Sequence, residues 1–95
     1  MDDGVKMISS ATKAFELRLK SGMSHEEVLI QISKMASVER DQKVKIGMIA
    51  AASKALSIID QNPSYNERQV IGEVMKELPS IIETANEDVR FYSSE

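Results

Sequence analysis

Apolar residues recur along this chain at spacings of three and four rather than in alternation, the pattern of helices that each bury one side. Ile8, Ala11, Phe15 and Leu19 define such a stripe and predict a first helix over residues 5–20, ended by Gly22. Ser24 and Glu27 are spaced as a capping box, with Met23 as its hydrophobic staple. They start a second helix, 24–38, whose inward positions are Val28, Leu29, Ile32, Met35 and Ala36. Glu39-Arg40-Asp41-Gln42 is polar but holds neither Gly nor Pro, so it reads as a tight turn with weakly marked edges. The third helix, 41–61, has the widest apolar arc: Val44, Met48, Ala51, Ala52, Ala55, Leu56, Ile58 and Ile59. Small side chains from Gly47 to Ser53 let neighbouring backbones approach it, which makes it the expected central helix.

Asn62-Pro63 ends that helix, because Pro disfavours helical geometry in the residue before it. Ser64 with Glu67 offers a second capping box, and Asn66 offers a start two residues later. From Val70 and Ile71 through Val74, Met75, Leu78, Ile81, Ile82 and Ala85 to Val89, the apolar positions stay within an arc of roughly 140°. That phase survives Pro79, which cannot donate to the carbonyl of Met75. Either residues 65–90 form one kinked helix, or Pro79 separates 65–78 from 80–90, with Ser80 and Glu83 capping the second piece; the split is the preferred reading. The expected fold is therefore all-α, a compact bundle of four to five short helices with antiparallel neighbours and a kink or break at Pro79.

Composition narrows this picture. Ninety-five residues favour one domain spanning 1–95. The core is expected to be aliphatic, since the chain has no Trp and only two Phe and two Tyr. Absence of Cys removes disulfides, thiolate chemistry and sulfur-based metal sites. The start, Met1-Asp2-Asp3-Gly4, is acidic where a secretory signal is basic, and the longest apolar run, Ile46 to Ala52, is too short for a bilayer. A cytoplasmic address is expected. Net charge is −3, which opposes non-specific attraction to phosphate backbones. Residues 1–59 carry nine basic against seven acidic groups, or +2, and residues 60–95 three against eight, or −5. The two parts could attract across a bundle or between copies.

Chemical motifs are sparse. His25 is the single His and, beside Glu26 at a helix start, reads as a neighbour of the cap rather than a base or ligand. Glu73 and Glu77 share a helix face but no Glu-x-x-His accompanies them, so the di-metal bundle pattern is missing. No glycine-rich phosphate loop or nucleophile elbow occurs. We therefore expect no catalytic residue, no metal, no cofactor and no small-molecule substrate. Leu17, Ile30, Val38 and Ile46 fall off the buried arcs of their helices, Ile30 by about 170°. They predict a protein interface, in the first place a homodimer, and with it an interaction or regulatory role. The acidic group Glu83, Glu87, Asp88 and Glu95 could meet a basic partner. The alternative is a small DNA-binding regulator with a degenerate helix-turn-helix in residues 24–49, offering Arg40, Gln42, Lys43 and Lys45 to DNA. A turn without Gly, an apolar third helix and the acidic balance all oppose it.

Overall fold

The computed structural model describes the backbone of residues 3–93 and the side chains of residues 4–85. It is a compact all-helical bundle: α1 (Asp3–Phe15) continues into a π-helical turn (Glu16–Lys20), followed by α2 (His25–Ala36), α3 (Gln42–Gln61) and α4 (Glu67–Ser93). At about 1.5 Å per residue, α4 is roughly 40 Å long and sets the longest dimension of the molecule, 42 Å.

α3 is the centre, as its small residues predict. Val44, Gly47, Met48, Ala51, Ala52, Ala55, Leu56, Ile58 and Ile59 are all buried along it, and each of the other helices packs on it. α1 comes close because Gly47 has no side chain: a Cβ there would run into the Cε of Met7. Ser10, fully buried, donates its hydroxyl hydrogen to the Met48 carbonyl, so the one buried polar side chain at this junction is satisfied. The main core joins Met7, Ala11 and Phe15 to Val28 and Ile32, to the Ala51–Ile59 face, and to Val70, Val74 and Ile81. Ala36, Val44 and Met48 form a smaller cluster under the α2–α3 turn.

Directions follow from the contacts. Ala36 lies with Val44 and Met48 while His25 lies beside Asp60, so α2 and α3 are antiparallel. The short connection 62–66 makes α3 and α4 a second antiparallel pair. Lys6 meets Glu39 before α3 begins and Ser10 meets Met48 within it. α1 therefore runs with α3 and against α4.

Several local expectations are met. Ser24 accepts the Glu27 amide hydrogen and Glu27 accepts that of Ser24, which completes the capping box. Met23 and Val28, on either side of this cap, both join the core. Asp41 caps α3 by accepting from the Lys43 amide.

Others need correction. The reciprocal box at the start of α4 is Asn66 with Gln69, not Ser64 with Glu67, so the helix starts two residues later. α4 passes through Pro79 without ending, and Ser80 and Glu83 cap nothing. The reason is the unbroken apolar phase: Val74, Ile81 and Ala85 keep the same side inward, and that burial outweighs one lost backbone bond. The π turn is a further departure. The Ser21 amide donates to Glu16 O and the Met23 amide to Leu17 O, each one residue wider than an α-helix end requires, and Gly22 closes it at φ +69°. The extra residue shifts the helical phase. Leu17, expected off the buried arc, packs against the core, whereas Leu19, expected on it, is exposed.

Candidate functional site

α1 and α4 each lean on α3 more than on one another, and a groove of about 640 Å³ opens between them. Its walls come from two stripes. Val5, Ile8 and Thr12 stand at helical spacing on α1, and Met75, Leu78 and Ile82 do so on α4. Gly4 and Ser9 keep the α1 wall low, while Lys13 and Glu16 stand at its C-terminal end. Val5 and Met75 are both 56% exposed, and Ile8, Leu78 and Ile82 are partly buried against the core. The floor is thus supported by the bundle, and the rim projects apolar surface into water.

The groove is only half legible in the sequence. Met75, Leu78 and Ile82 belong to the predicted α4 stripe, but Met75 was expected inside and stands outside. An arc of roughly 140° is wider than one contact with α3 can cover, so part of it is left to the groove. Val5 lies at a helix start and carried no signal of its own.

The predicted interface residues do not form one surface. Leu17 is packed inward and Ile46 is half-buried on α3. Ile30 is 55% and Val38 78% exposed. Ile30 lines a shallow depression on α2 with Leu29, Ser33, Lys34 and Ser37; Val38 lies in the turn beyond the end of that helix.

The four residues assigned to DNA in the alternative reading sit together at the start of α3. Arg40 and Gln42 are exposed, and Lys43 and Lys45 are half-buried. The helix that a helix-turn-helix would lay in the major groove is, however, the buried centre of this bundle. Of these four residues only Arg40, before the helix, and Gln42, at its start, are fully exposed.

Titratable groups are dispersed. His25 Nε2 lies 2.7 Å from Asp60 Oδ2 but makes no hydrogen bond of acceptable direction, so the contact is electrostatic and attractive when the ring is protonated. Sequence reading placed His25 beside the cap and missed Asp60, which is distant in sequence. Lys6 pairs with Glu39 at 2.7 Å, tying α1 to the α2–α3 turn, and Lys76 pairs with Glu73 at 3.2 Å on α4. Glu73 and Glu77 border a small polar cleft with Lys54 and Tyr65. Glu87, Asp88 and Glu95 lie outside the residues whose side chains are described. Among the described residues no group of three or more His, Asp or Glu could hold a metal ion, and no helix is long and apolar enough to cross a membrane. Comparison with protein-family models, with curated proteins and with solved structures finds no match to this chain.

Proposed function

We propose that this protein acts by binding another polypeptide in the groove between α1 and α4, without chemistry of its own. The observation that carries the reading is the exposed apolar pair Val5 and Met75 over a floor of Ile8, Leu78 and Ile82. Two parallel-sided helical walls with apolar side chains spaced along them suit an amphipathic helix, which presents anchors at intervals of three, four and seven. The partner helix would remove from water side chains that the bundle itself leaves wet, at about 25 cal/mol per Å² of apolar surface covered. A photo-crosslinking residue at Ser9, inside the groove, tests this against the same residue at Ser53, on the exposed side of α3. Protein adducts from Ser9 that are lost on Met75→Lys are expected. Equal labelling from both positions would abandon the groove.

A second reading keeps the interface on α2. Ile30 on α2 and Val38 in the turn just after it are both exposed to solvent, which favours a homodimer through the off-phase residues. Changing both to Lys should then abolish self-association in sedimentation equilibrium; an unchanged mass distribution would discard this surface.

A further inference from the structure

The polar cleft bordered by Glu73 and Glu77 takes no part in the groove, and we infer that it binds a small free α-amino acid. It is a space of about 130 Å³ between α3 and α4, at the end where a short turn joins the two helices. At about 100° per residue, Glu73 and Glu77 stand roughly 150° around α4 from Met75, Leu78 and Ile82. The inference is therefore independent of what fills the groove.

Local structure explains how the cleft forms. Lys54 and Ile58 are four residues apart on α3, and Glu73 and Glu77 are four apart on α4, so each pair shares one side of its helix. Because α3 and α4 are antiparallel neighbours, the two pairs border one space. The connection closes its end. The Asn62 side-chain amide donates to the Ile58 carbonyl at 3.2 Å, and the Tyr65 backbone amide donates to the Asn62 carbonyl at 3.0 Å. That turn sets the half-buried Tyr65 against the cleft, and the buried Ile58 gives the cleft an apolar patch.

Charge selects the ligand. Glu73 is already engaged by Lys76, at 3.2 Å. Lys54 and Glu77 are not engaged: among the described residues neither has an ion-pair or hydrogen-bond partner, although both line this cleft. The cleft thus offers an unpaired ammonium from α3 and an unpaired carboxylate from α4. A simple anion would be attracted by Lys54 and repelled by the glutamates, and a simple cation would meet the reverse. A zwitterion answers both, its carboxylate accepting from Lys54 Nζ and its ammonium donating to Glu77. Size points the same way. The cleft has the volume of roughly four waters at about 30 Å³ each, which is the bulk of glycine or alanine, with the ligand's carbon atoms against Ile58.

The test is a titration of the isotope-labelled full chain with glycine, followed by amide chemical shifts at constant ionic strength. Two largely solvent-exposed charge pairs give a Kd in the low millimolar range, so additions to about 50 mM should reach saturation. Saturable shifts are expected in residues 54–65 and 73–77, with alanine behaving like glycine and with acetate or methylammonium producing none. Lys54→Met and Glu77→Gln should each weaken binding about tenfold, the loss of one charge-assisted hydrogen bond. Lys54→Arg, which keeps the charge, should retain most of the affinity and so separates loss of the ammonium from loss of the fold. Absence of saturable shifts with both amino acids overturns the site. Equal binding of acetate or methylammonium overturns the zwitterion as its ligand. Unchanged affinity in Lys54→Met or Glu77→Gln overturns the pairing that the substitution removes. None of these results bears on cross-linking in the groove, so the two readings fail separately.

Discussion

Gly47 and Met7 are one interaction written in two places. The glycine opens a notch in α3 and the thioether fills it, with Met7 only 2% exposed. Gly47→Ala should gain about 1 kcal/mol of helix propensity and lose about 1–3 kcal/mol to overpacking, a net loss in urea unfolding. In a Met7→Ala background the clash is gone, and the same substitution should stabilise. Equal effects in the two backgrounds would show that the notch does not set the approach of α1. Reading the chain alone identifies Gly47 as one of several small residues in a permissive run; it does not say that residue 7 fills the space, because that pairing depends on how α1 is rotated. Ser10 is similar. Nothing at its position distinguishes a hydroxyl buried against the Met48 carbonyl from one in water.

At the level of the element, capping chemistry was the most readable feature and phase the least. Ser24 and Glu27 form the box their spacing implies, so Ser24→Ala should cost about 1 kcal/mol. Asn66→Ala should cost a similar amount, whereas Ser64→Ala should cost almost nothing, because Asn66 and Gln69 hold the start of α4. Urea denaturation of the three variants separates these cases; a loss at Ser64 equal to that at Asn66 would move the cap back. Two Ser/Asn candidates lie within three residues of Pro63, and propensity alone cannot choose between them. The π turn was not legible at all. One inserted residue, with no Gly or Pro inside Glu16–Lys20, exchanges the roles of Leu17 and Leu19, and the periodicity rule assumes that no such insertion exists. Pro79 tests how far burial overrides local preference: Pro79→Ala restores a donor to the Met75 carbonyl and should stabilise the protein by about 1–3 kcal/mol. Amide exchange in residues 76–84 should slow accordingly. No change would mean that the helix is already relaxed around the ring.

For the molecule as a whole, the all-helical class and the central position of α3 were legible because both rest on the number and width of apolar arcs. The groove was not, since it depends on the distance between two helices that share a neighbour. Its side chains should matter little to folding. Val5→Ser with Met75→Ser should leave the unfolding free energy of the dilute protein within about 0.5 kcal/mol, while Ile32→Ala, fully buried, should cost about 2–5 kcal/mol. A loss in the double variant comparable with that of Ile32→Ala would assign Val5 and Met75 to the core rather than to a partner. The placement of α3 also bears on synthesis. α1 and α2 emerge from the ribosome first, yet most of what they pack against lies in α3, and short helices on their own are marginal in water. The nascent N-terminal segment therefore has little to fold upon until Gln61 has cleared the exit tunnel, and ribosome-bound chains stalled before that point should be cut readily by protease.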